Sequence, residues 1–113
     1  MPYVSISVGD TVSKEKKDVI QNEIGNLISI IPGKSSPVTM IKIEDGCDMY
    51  MGAEKANWCF CEVRLLGEAP YESKSEFYLK LRQLLKDELN IKEIYLNYVV
   101  FNEWGSRENF RQL

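Results

Sequence analysis

The chain has 113 residues, 44% apolar and 27% charged, which suits one soluble-type domain with a single core. Its net charge of −3 excludes the basic stripe that meets nucleic-acid phosphates, and no apolar run approaches the roughly 20 residues of a membrane helix. The absence of histidine removes Ser–His and Cys–His nucleophile pairs and most zinc sites, so proton transfer must use another group.

No charged and apolar leader precedes the first strand, and the three cysteines, Cys47, Cys59 and Cys61, are an odd count. Both point to reduced thiols and a cytoplasmic protein. Residues 3–8, YVSISV, put Val4, Ile6 and Val8 on one face of a half-buried strand. Pro2 is tolerated at the first strand position, where its missing N–H is harmless. A helix is expected over residues 13–31, with Ser13 as N-cap and an apolar stripe of Ile20, Ile24, Leu27, Ile28 and Ile31. Pro32-Gly33 ends it.

Residues 38–44 predict a second strand, and residues 45–57 a loop with a short extended piece. Residues 58–66, WCFCEVRLL, alternate again, with Cys59, Cys61, Val63 and Leu65 inward. A second helix is expected over residues 73–89, opened by a Ser73–Glu76 capping box and buried through Phe77, Leu81, Leu84, Leu85 and Leu89. Residues 94–101 are a strong strand, and the tail is polar apart from Phe110.

The order β-α-β, β-α-β reads as a tandem repeat within one domain, residues 1–113. Each crossover implies a parallel, right-handed pair. The expected fold is α+β: a four-stranded mixed sheet with both helices on one face. The other face then carries Tyr3, Trp58, Phe60, Tyr95, Val99 and Phe101, an aromatic surface suited to burial against another subunit.

The chain resembles the tautomerase superfamily, in its macrophage migration inhibitory factor-like branch. The resemblance rests on Met1-Pro2, Gly33-Lys34, Cys61, Leu66-Gly67, the stretch from Ile94 to Tyr98, Trp104-Gly105 and the late Phe110. It covers nearly the whole chain, through the order and spacing of these residues.

The resemblance implies a barrel-like homotrimer and a cofactor-free, metal-free keto–enol tautomerase acting on phenylpyruvate-like 2-keto acids. It makes Pro2 the general base once Met1 is removed. Lys34 and the Leu66 backbone would bind the substrate carboxylate, and Tyr95 and Asn97 would reach the pocket from a neighbouring subunit. Tyr50, Trp104 and Phe110 would wall it. Read without the resemblance, Lys34 is a lysine at a helix C-terminus, favoured by the helix dipole.

Two other functions stand beside this one. The first is decarboxylation or dehalogenation of a small acid, disfavoured because only Arg64 stands in place and Glu62 is there to pair with it. The second is a signalling or binding role with a vestigial pocket, which could act outside cells without a signal peptide. Cys59 and Cys61, two apart on a strand, share its inward face and read as core thiols.

Overall fold

The computed structural model describes residues 1–113. The expected alternation becomes β1 (Pro2–Val8), whose even-numbered residues are buried. Helix α1 (Lys14–Leu27) opens where Ser13 Oγ accepts from the Lys16 N–H at 3.2 Å. A single 3-10 turn, Ile28–Ile30, continues it. The α-helical part is thus shorter than expected, because Pro32 drives Ile31 into an extended conformation.

A second 3-10 turn, Ser36–Val38, takes the first residues of the expected second strand. Strand β2 then runs Met40–Glu44. A small hairpin follows, β3 (Tyr50–Met51) with β4 (Glu54–Lys55), and then β5 (Trp58–Leu66) with the expected bounds. Helix α2 is Tyr71–Glu88 and β6 is Glu93–Phe101. The chain closes with β7 (Glu103–Ser106) and β8 (Asn109–Gln112).

The main sheet has the order β2-β1-β5-β6. Both crossover pairs, β1 with β2 and β5 with β6, are parallel, and β1 with β5 is antiparallel. This is the expected mixed sheet. Its inner face and the two helix stripes share one core, in which Ile6, Ile20, Leu65, Phe77 and Leu81 are fully buried. The outer face leaves Phe60 at 38%, Tyr95 at 54% and Phe101 at 38% exposed. At these exposures the aromatic surface forms no part of the core of a single chain.

One local expectation fails, and one segment to which the sequence assigned no element is ordered. Ser73 does not cap α2: Pro70 precedes the first turn, its carbonyl accepts from the Lys74 N–H at 3.1 Å, and no side chain caps the helix. Nothing between Pro70 and Ser73 breaks the helix, so it starts two residues early and Ser73 lies inside it. The polar tail is also not irregular. It is the β7–β8 hairpin, in which Trp104 pairs with Arg111 and Gly105 with Phe110. Its two-residue loop holds Arg107 at φ +54°, a conformation such loops require and glycine or asparagine normally supplies.

The join from α2 to β6 is held by charge. Arg82 donates to both Glu93 carboxylate oxygens, at 2.7 and 2.6 Å. Hydrogen bonds from Arg82 hold the Glu93 carboxyl at about 2, below its usual 4.5. A carboxyl depressed on folding stabilises the protein above its unfolded value, and that stabilisation disappears as pH falls through the folded value. Acid unfolding should therefore draw on this pair between about pH 4.5 and 2, and Glu93→Gln should flatten that limb of a thermal-melting series. Identical limbs in both proteins would count against it.

Candidate active site

The site is built at the start of β1. Gly33 has φ +77°, a conformation open to glycine at no steric cost. It turns the chain after α1 so that Lys34 Nζ donates to the Leu66 carbonyl at 2.9 Å. Pro2 stands opposite Leu65 across the β1–β5 ladder, which brings the chain terminus to Leu66 and hence to Lys34. Lys34 stands close enough to the Met1 amino group to act on its protonation. Partial burial, followed by the Lys34 charge and its hydrogen bond, lowers that amine from 8.0 to about 6. Both causes act against the protonated form.

A cavity of about 640 Å³ opens in front of the terminus. Pro2, Val38, Phe101 and Trp104 contribute apolar walls. Its charged side chains are Arg64, Glu103 and Arg107. The Ser36–Val38 wall is seated by a close approach, since a Cβ at Gly25 would lie 2.7 Å from Ser36 Oγ. An amine left neutral at pH 7, beside an ammonium and an apolar wall, can accept a proton from carbon while the cation holds an anionic substrate.

The residues read from the sequence divide into two groups. Pro2, Lys34 and Leu66 meet at the terminus, and Trp104 lines the cavity. Leu66 presents its carbonyl to Lys34, which fixes the lysine.

Lys34 and Leu66 stand beside the terminus but off the cavity lining, and Tyr50 and Phe110 also lie outside it. Tyr50 belongs to the hairpin whose flanking residues meet Gly9, at the far end of β1 from Pro2. Phe110 is 70% exposed on β8. Tyr95 and Asn97 share the outer face of β6, in register with Phe60 and Glu62. On β1 those positions match Ser7 and Ser5, well along the strand from Pro2. Within one chain they are not brought to the terminus.

Sequence reasoning missed Arg107, Glu103 and Arg111. Arg107 joins Arg64 on the cavity wall, and Arg111 acts on the Met1 amine. The expectation that a single arginine serves this region is therefore corrected. The signal was hidden because every residue of β8 is exposed and the hairpin has no apolar alternation to reveal it. The core thiols are as expected: burial pushes Cys59 up to about 12 and Cys61 higher still, which leaves both inert at neutral pH.

No protein-family model and no curated protein sequence matches this chain. Solved structures do. Leishmania major MIF2 superposes with a TM-score of 0.87 at 17% identity, over 97% of each chain. The chain has the macrophage migration inhibitory factor fold. An inhibitory factor-like protein from Entamoeba histolytica has a TM-score of 0.81 at 18% identity, covering 96% of this chain and 97% of its own. A fused 4-OT, solved as an asymmetric trimer, reaches 0.77 at 10% identity over 92% and 91% of the two chains. The fold is the one the sequence resemblance implied. At these identities the likeness concerns the backbone, and the chemistry must be argued from the side chains.

Proposed function

We propose that this chain is a cofactor-independent keto–enol tautomerase for phenylpyruvate-like 2-keto acids, active as a homotrimer once Met1 is removed. The observation that carries the reading is the chain-terminal amine beside Lys34 at the mouth of a partly apolar cavity, lowered to about 6. Removal of Met1 moves the free amine onto the Pro2 nitrogen, one residue further into the buried start of β1. Burial and the Lys34 charge lower its proton affinity there too.

In the forward step the Pro2 nitrogen takes a proton from C3 of the keto acid. The C–H electron pair forms the C2–C3 double bond, and the carbonyl electrons move onto oxygen. That oxygen takes up a proton to complete the enol. Lys34, fixed by the Leu66 carbonyl, holds the substrate carboxylate. The trimer draws support from the uncovered aromatic face, from the unpaired edges of β2 and β6, and from the trimeric neighbour. It also supplies the chain from which Tyr95 and Asn97 reach the pocket, with Asn97 donating to the developing oxygen and Tyr95 forming a wall.

The test is enolisation of phenylpyruvate by protein whose intact mass lacks one methionine, with malonate semialdehyde and 3-haloacrylates as comparators. An amine can accept a proton only above its pKa, so kcat/KM should rise with pH and level off at a pH below the ordinary range of an α-amino group, because burial and the Lys34 charge lower the amine's proton affinity. Lys34→Ala should lower kcat/KM about tenfold to a hundredfold, the worth of one charged hydrogen bond. Its inflection should move upward only in part, because burial is the larger cause of the lowering at this terminus and remains. Faster turnover of a comparator than of phenylpyruvate, or an unmoved inflection, would overturn the assignment.

A further inference from the structure

We infer that the β7–β8 hairpin is a hinged wall of the cavity, which opens as one unit about the Phe101–Asn102 peptide and closes over a bound acid. The closure on an acid rests on the tautomerase reading, whereas the hinge rests on the hairpin's own contacts.

The hairpin forms one side of the cavity by itself. Every residue from Glu103 to Arg107 is on the lining, and Pro2, Tyr3 and Val38 line it from the body. Yet little ties this wall to the body. The hairpin is a separate two-stranded sheet with no ladder to the main one. Its one side-chain hydrogen bond, Gln112 Nε2 donating to Glu103 Oε1 at 3.4 Å, is internal. None of the six ion pairs includes a hairpin residue, and every residue of β8 is exposed. A two-stranded ribbon without a packed face is marginally stable in water. Segments with few buried apolar contacts open at the low end of a protein's local free energies.

Two backbone hydrogen bonds fix the pivot. The Gly67 N–H donates to the Phe101 carbonyl at 2.8 Å and holds the end of β6 to the body. The Leu113 N–H donates to the Asn102 carbonyl, also at 2.8 Å, and closes the base of the hairpin. The peptide between these two carbonyls joins two units that are each held internally. Rotation there moves the hairpin without breaking either ladder.

Two apolar rests set its position. Leu113 Cδ1 lies over Gly67, 3.1 Å from where a Cβ would stand, and the Trp104 ring meets Phe101 edge-on with centroids 6.3 Å apart. Leu113 nevertheless stays 63% exposed, so this latch is weak. Arg111 on β8 is near enough to act on the Met1 amine, so the hairpin already borders the terminus. Closing in that direction lays Trp104 over the cavity and removes water from around the amine.

Hydrogen–deuterium exchange on the full, purified protein, read by peptide mass, tests this. Without ligand, the hydrogen-bonded amides of β7 and β8 should exchange together, about a hundredfold or more faster than those of β1 and β5. Leu113→Ala should speed the hairpin about threefold to tenfold and leave β1 and β5 unchanged. Phenylpyruvate at about ten times its calorimetric Kd should slow the hairpin about tenfold, the limit for a ligand that binds only the closed form. Hairpin amides as slow as those of β1 and β5, or a Leu113→Ala effect spread over the whole sheet, overturn the hinge. Binding of phenylpyruvate without slowing of the hairpin overturns the closure. Absent binding would sink the substrate reading alone, since exchange without ligand still decides the hinge.

Discussion

An alanine inserted between Met1 and Pro2 should lower kcat for phenylpyruvate enolisation by about a hundredfold to ten-thousandfold, the usual share of a positioned general base. Removal of Met1 then exposes the alanine amine, and the proline nitrogen stays an amide with no basic lone pair. The inserted residue lies beyond the first β1 pair, Pro2 with Leu65, so the fold should be untouched and melting should show no change. The displaced amine would retain some basicity near Lys34, but it would sit one residue too far out to reach the same carbon. Positioning errors of this size cost orders of magnitude. Full activity in the extended protein, with its mass verified, would remove Pro2 from the mechanism. The experiment tests the amine itself, whereas Lys34→Ala tests the charge beside it, and the two should differ in signature. The extension mainly lowers kcat, and the lysine variant also moves the pH profile.

Phe77→Ala should destabilise the protein by about 3–5 kcal/mol, the cost of removing a large buried ring and leaving a cavity. Phe77 is the largest fully buried side chain, on the α2 stripe that packs against the sheet. The loss is a large part of the roughly 5–15 kcal/mol that holds a typical domain together. Denaturant titration should show it, run at one protein concentration because oligomerisation makes apparent stability concentration-dependent. A loss below about 1 kcal/mol would mean that the site collapses around the missing ring and that the helix–sheet seam is not close-packed. Phe77→Leu keeps most of the volume and should cost much less. Activity per folded molecule should survive that milder change, since Phe77 takes no part in the cavity lining.

The elements were legible in the sequence where one face of each is apolar. Strand β5 had its bounds from the alternation of Cys59, Cys61, Val63 and Leu65, and both helices had their stripes from residues such as Ile20, Ile24, Phe77 and Leu81. Periodicity reports burial, and burial on one face is what holds these elements in place. Where a segment is exposed all round, that signal vanishes, which is why β8 read as part of a polar tail. The capping box at Ser73 failed for a related reason. A local motif fits many positions, and the helix began at the first residue after Pro70 that could extend it.

Composition and order alone settled the α+β fold class, the parallel crossovers, the inert core thiols and an aromatic face left over. The family resemblance brought Pro2, Lys34 and Leu66 forward as a set. What tertiary structure decided was proximity: Lys34 reaches Leu66 across 32 positions of chain, and Arg107 comes to the same cavity as Pro2 from the far end of the sequence. No pattern of neighbours along the chain encodes such meetings, because they depend on how strand register and the hairpin turn aim side chains in space. The amine's lowered basicity follows from the same cause, since burial and a nearby charge are properties of the folded surroundings.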